Sequence, residues 1–96
     1  MGYAAYIKNK REEILAIAKA HGAVNIRIFG SYARGEEKPP SDIDLLVDME
    51  PGHSLLDIIA IKQELEDLVQ KHVDVVTEDA LSPYIRKEIL REAIAL

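Results

Sequence analysis

The sequence predicts an α/β (α+β) fold, a small mixed sheet of about three strands with helices packed on one face. Three observations lead there. The segments "VNIRIF", "IDLLVDM" and "HVDVVT" alternate along the chain with period two, as half-buried strands do. Between and around them, apolar residues recur at helical spacing from Tyr3 to His21, from Leu55 to about Lys71 and from Pro83 to Ile94. The chain has 96 residues, the size of a single domain spanning 1–96 with one core.

The first helix is expected over Tyr3 to His21. Ile7, Ile14, Leu15, Ile17 and Ala18 form its apolar stripe, and Gly22 stands where it should stop. In the first strand Val24, Ile26 and Ile28 share one side and Asn25, Arg27 and Phe29 the other, with Gly30 ending it. The second strand puts Ile43, Leu45, Val47 and Met49 on one face and Asp42, Asp44, Leu46 and Asp48 on the other. Ser54 and Asp57 have capping-box spacing ahead of the second helix. In the third strand Val73, Val75 and Thr77 oppose Asp74 and Val76, and Pro83 after Ser82 suits the first turn of a last helix. Pro39-Pro40 reads as a loop between the first two strands, and no repeat or linker is visible.

Composition excludes several classes of function. Twelve Lys and Arg against seventeen Asp and Glu give a net charge of −5, the wrong sign for direct nucleic-acid binding through phosphate neutralisation. The absence of cysteine rules out disulfides, thiolate metal sites and thiol nucleophiles. No apolar run is long enough for a membrane span and the first residues are not signal-like, so a cytoplasmic protein is expected.

If helices cover the valine and isoleucine faces, the opposite side carries Asp42 and Asp44 from one strand and Asp74 from another. Residues i and i+2 of a strand stand side by side, so these carboxylates crowd like charges unless a cation separates them. Mg²⁺ is the expected ion, because it takes carboxylate oxygens, keeps waters and bridges to substrate phosphates. A third carboxylate allows two ions, which at roughly 3.5–4 Å separation stabilise both the attacking and the leaving oxygen at phosphorus. Upstream, Gly30 lets the backbone approach a ligand, Ser31 offers N–H and hydroxyl groups to phosphate oxygens at the start of a short helical turn, and Arg34 adds a charged contact. Phosphoryl or nucleotidyl transfer is the chemistry implied.

Taken singly these features are ordinary: alternating acids usually mark a solvated strand face, and Gly-Ser a common turn. Asp48, near the strand end, is expected to be solvated. His21, His53 and His72 lack metal-ligand spacing and are expected to be structural or exposed. The combination is more specific than its parts.

The stretch "GSYARGEEKPPSDIDLLV" resembles the signature of the polymerase-beta-like nucleotidyltransferase superfamily: Gly30-Ser31, ten residues from Tyr32 to Ser41, then Asp42-Ile43-Asp44. It is most similar to the minimal nucleotidyltransferases (MNT), the antitoxin half of HEPN/MNT toxin–antitoxin pairs, which also carry segments like "VDVVT" at Val73 to Thr77 and "LSPYIRKEIL" at Leu81 to Leu90. The resemblance implies that Gly30 and Ser31 hold the phosphates of ATP and that Asp42 and Asp44 bind the catalytic and nucleotide metals. Asp74 would complete the metal site and help activate the acceptor hydroxyl, and Arg34 matches the motif arginine. It further implies transfer of AMP to a tyrosine of a HEPN-family RNase toxin, which is thereby silenced. The short chain points the same way, having no room for a second domain to hold a separate acceptor. Two alternatives stay open at this level: an antitoxin that neutralises by binding alone, and a transferase for a small-molecule acceptor.

Overall fold

The computed structural model describes residues 5–35 and 42–96; the Pro39-Pro40 loop and Ser41 lie outside them. Among the described residues the helices are α1 (Ala5–Asn9), α2 (Arg11–Ala20), α3 (Leu55–Val69) and α4 (Pro83–Glu92), and the strands β1 (Ala23–Phe29), β2 (Ile43–Met49), β3 (Val73–Thr77) and β4 (Ile94–Ala95). A 3-10 turn at Glu78–Ala80 links β3 to α4. The strands form one sheet in the order β3-β2-β1-β4. β1 pairs antiparallel with β2 and with β4, and β2 pairs parallel with β3. That parallel pair requires a crossover, which α3 supplies.

The core lies between one face of this sheet and α1 to α3. Ile7, Ile14 and Ala18 from the first two helices and Ile61, Leu65 and Val69 from α3 pack against Ile26, Ile28, Ile43, Leu45, Val47 and Val73. Each of the valines, leucines and isoleucines among them contributes about 1.5–3 kcal/mol by leaving water. Ser54 caps α3 as its spacing predicts, its hydroxyl accepting from Leu56 N at 3.2 Å while Asp57 accepts from Ser54 N at 3.0 Å.

The fold is the mixed sheet with helices that the sequence predicts, with local differences. The first helix is divided in two, because Lys10 leaves helical geometry at φ −100° and ψ 7°. The bulge in β1 is the second difference. The β1–β2 register shifts between Val24 and Arg27, and Asn25 sits there at φ 50°, in the left-handed region that asparagine tolerates better than most side chains. The extra residue changes the parity of the strand's start, so Ala23 rather than Val24 joins Ile26 and Ile28 in the core. Third, the last helix ends at Glu92, and Ile94–Ala95 becomes a fourth strand. Finally, Leu46, on the aspartate side of β2, is 0% exposed and lies outside the main core cluster. The 3-10 turn is in contact with β2, and on this side of the strand Leu46 is buried while Asp44 is half-buried.

Candidate functional site

The sheet register places the candidate acids. On β2 the Cα partners of Asp44 are Phe29 of β1 on one side and Asp74 of β3 on the other. Direct partners in a pleated sheet point to the same face, so Asp44 and Asp74 are neighbours by construction. Asp42 lies just ahead of β2, two residues from Asp44. Asp42 and Asp74 are exposed and Asp44 is half-buried.

The electrostatics express this crowding. The Asp44 carboxyl is pushed up from 3.8 to about 6, first by burial, then by the charge of Asp74, then by Asp42, and further by a hydrogen bond shared with the Asp74 carboxyl. Arg34 opposes the rise. The structure thus brings Asp74 and Asp42 each within electrostatic range of Asp44, and the Asp44–Asp74 pairing is the geometry expected from strand parity. Among the described residues, no group of three or more His, Asp or Glu side chains is placed to hold a metal ion by itself. The donor set nonetheless fits a hard divalent cation of the Mg²⁺ type. The oxygens are carboxylates, their repulsion is what a cation relieves, and such an ion normally takes part of its shell from water and phosphate.

Beside the acids, β1 ends in the Gly-Ser turn. Gly30 has φ 76°, and a Cβ added to it would run into Asp44 Oδ2, so only glycine fits between the turn and the acid. Arg34 N donates to Gly30 O at 3.1 Å and Gly35 N to Tyr32 O at 3.3 Å, closing the short helical turn that the sequence suggests. Tyr32 and Ala33 are buried and anchor this turn to the core. Ser31 and Arg34 lie on either side of these anchors, Ser31 part-exposed and Arg34 with its side chain 46% exposed.

One participant escapes the sequence reading. Glu92, the last residue of α4, accepts a hydrogen bond from Gly30 N at 3.0 Å and pairs with Arg34 Nη1 at 3.1 Å. Nothing in the local pattern around Glu92 signals this, because it is reached through β4, a strand of two residues. Asp48 is not simply solvated: it accepts from Asn25 Nδ2 at 3.0 Å and lies 3.4 Å from Arg27 Nη2. The histidines also acquire partners. His21 and His53 both approach Asp57, His21 pairs with Glu64, and His72 bonds Glu66 at 3.2 Å, each tying a helix end or loop to α3.

Comparison with known proteins decides the family. The profile described as "Nucleotidyltransferase domain" matches residues 7–96. The chain belongs to this nucleotidyltransferase family. A relative from Methanocaldococcus jannaschii named as a protein adenylyltransferase is 44% identical over 88 residues, covering 92% of this chain and 95% of the relative. Protein adenylyltransferase MntA of Thermococcus cleftensis is 43% identical over 91 residues, with 86% and 92% covered. A solved structure described as a minimal nucleotidyltransferase superposes with a TM-score of 0.86 at 48% identity, covering 94% of this chain and 92% of that one. The nucleotidyltransferase is therefore an enzyme of the minimal type, as the Gly-Ser and Asp-x-Asp resemblance implies.

Proposed function

We propose that this nucleotidyltransferase moves AMP from ATP to a tyrosine hydroxyl of a cognate HEPN-family RNase toxin, in a Mg²⁺-dependent reaction that silences the toxin, and that residues 1–96 act as one minimal domain in the cytoplasm. The observation that carries the reading is the crowding of Asp74 and Asp42 around Asp44, beside a glycine turn where a Cβ would run into Asp44 Oδ2. Relatives at 43% and 44% identity that are named protein adenylyltransferases support AMP as the group and protein as the acceptor. Support for a protein partner also comes from the surface. Leu55, Leu56 and Ile59 on α3 and Tyr84, Ile85 and Leu90 on α4 are large apolar side chains left exposed.

In this reading Gly30, Ser31 and Arg34 bind the triphosphate, the backbone approaching closely at Gly30 and the guanidinium adding charge. Asp42, Asp44 and Asp74 would hold Mg²⁺, which when bound supplies neutralisation of charge on the reacting phosphate. Asp74 is exposed, and its carboxylate oxygen would take the proton of the acceptor hydroxyl. The acceptor oxygen then bonds to the α-phosphorus as the bond to the bridging oxygen breaks, and pyrophosphate leaves. Most of the rate would come from positioning, with Asp44 and Asp74 held on paired strands.

Intact-mass measurement of the candidate toxin after incubation with this protein, ATP and Mg²⁺ tests the proposal. A gain of whole AMP units that disappears with Asp42→Asn or Asp44→Asn is expected. Toxin that is inhibited at unchanged mass would instead indicate neutralisation by binding, and AMP units gained by an added small-molecule acceptor but not by the toxin a different acceptor.

A further inference from the structure

We propose that Glu92 is a positioning residue for the nucleotide-binding turn: from the end of α4 its carboxylate fixes the bend at Gly30 through the Gly30 amide and holds the Arg34 guanidinium where it meets the nucleotide's phosphates. The inference rests on the assignment of Gly30, Ser31 and Arg34 to phosphate binding made above.

The register of the neighbouring strand brings Glu92 to this place, and its hydrogen bond with Gly30 N fixes it there. In the antiparallel pairing of β1 with β4, Arg27 is opposite Ala95 and Ile28 opposite Ile94. Carried two residues further, the same register sets Gly30 opposite Glu92. The chain end is fastened in that register by Leu96 N donating to Ile26 O at 3.0 Å and by Arg11 Nε donating to Leu96 O. Leu96 is itself buried at 5% exposure within the core cluster. Glu92 is thus carried on a pinned segment rather than on a loose helix end.

Its contacts are specific to a carboxylate. Oε1 accepts from Gly30 N at 3.0 Å and from Arg34 Nη1 at 3.2 Å, while Oε2 accepts from the same Nη1 at 3.1 Å. The pair holds the guanidinium at one end, so Glu92 orders a side chain that would otherwise lose rotamer freedom when nucleotide binds. Binding sites gain affinity when this ordering is done in advance. The same contact at Gly30 N fixes the bend whose φ of 76° brings the backbone against Asp44. A 58-residue separation between Arg34 and Glu92 means that the last strand of the chain sets the geometry of its first motif.

The test compares wild type, Glu92→Gln, Glu92→Ala, Arg34→Ala and the double variant Glu92→Gln with Arg34→Ala. Amide hydrogen exchange is read in the protein alone, and affinity for a non-transferable ATP analogue with Mg²⁺ is read separately. Glu92→Ala should speed exchange at Gly30 about tenfold or more, the effect of losing one hydrogen bond to a charged acceptor, while amides of β2 stay protected. Glu92→Gln keeps an acceptor for Gly30 N, so Gly30 stays protected, but analogue affinity should weaken by about tenfold. In steady state that loss should fall mainly on KM for ATP. Adding Glu92→Gln to Arg34→Ala should change affinity no further, because Glu92 acts through Arg34. Tighter analogue binding in Glu92→Gln would overturn the proposal, showing that the carboxylate competes with phosphate. So would a full additional loss in the double variant, or uniform loss of protection across the sheet in Glu92→Ala. A wild type that binds no nucleotide refutes the assignment of the turn and this proposal with it. Wild-type binding that Glu92→Gln leaves unchanged refutes this proposal alone.

Discussion

Replacing Asp44 with Asn should make the metal-free protein more stable at neutral pH while destroying transfer. The Asp44 carboxyl titrates near 3.8 when unhindered and at about 6 in the fold. A folded-state value raised in this way means that the group's contribution to stability is intact below 3.8 and is lost as pH rises through about 6. Between those values the folded protein must give up a proton it holds more tightly than the unfolded chain does. At about 1.36 kcal/mol per pH unit, the full shift corresponds to roughly 3 kcal/mol. Asp44 is only half-buried, and solvent screening brings the expected figure to about 1–2 kcal/mol. Asn removes the charge and keeps an N–H that can donate to the Asp74 carboxylate. For a domain of this size the melting temperature should rise by about 5–10 °C at pH 7.5. The assay is thermal unfolding followed by circular dichroism, in chelator, from pH 4 to pH 8. The gain should grow from near zero at the acid end to a plateau above pH 6. Added Mg²⁺ should then raise the wild-type melting temperature by mass action and leave that of the variant nearly unchanged. A variant that melts below wild type at pH 7.5, or a difference that does not vary with pH, would refute the claim that crowded charge is stored at Asp44.

Other perturbations test separate parts of the account. Gly30→Ala places a Cβ against Asp44 Oδ2 at φ 76°, and should destabilise by about 1–3 kcal/mol in a thermal melt and reduce AMP transfer to background. Glu66 accepts from Val73 N and from Lys62 and is held below its ordinary value of 4.5, with the Val73 amide the largest cause. The stability it contributes is therefore present above pH 4.5 and lost as pH falls through its lowered folded value, so Glu66→Gln should flatten the acid limb of the pH–melting curve. Ser54→Ala removes the cap of α3 and should cost about 1 kcal/mol in denaturant unfolding without changing transfer. Leu46→Ala should cost about 2–5 kcal/mol, since Leu46 is 0% exposed despite lying on the aspartate side of β2.

Much of the site was legible because strand geometry has a period of two. Once "IDLLVDM" and "VDVVT" are strands whose valines and isoleucines meet helices, Asp44 and Asp74 must share the other face, and the parallel register then aligns them. The Gly-Ser turn was legible for a similar reason, as glycine is what a left-handed bend against a side chain requires. What was not legible depends on contacts far apart in sequence or on a single residue's backbone. The bulge at Asn25 turns on one φ of 50°, and it changed which residue of the strand's start enters the core. Leu46 shares the aspartate face by parity, yet it is fully buried, which strand alternation alone does not foretell. Glu92 was hidden most deeply, since its place beside Gly30 follows only from the pairing of a two-residue strand that the helical pattern had absorbed.

The most direct measurement is a crystal structure of the protein with Mn²⁺ in place of Mg²⁺ and a non-transferable ATP analogue, with the metal located by its anomalous signal. Metal is expected among the carboxylates of Asp42, Asp44 and Asp74, and the triphosphate along Gly30, Ser31 and Arg34. Metal and nucleotide bound at any other surface, with those three side chains turned to solvent, would contradict that expectation.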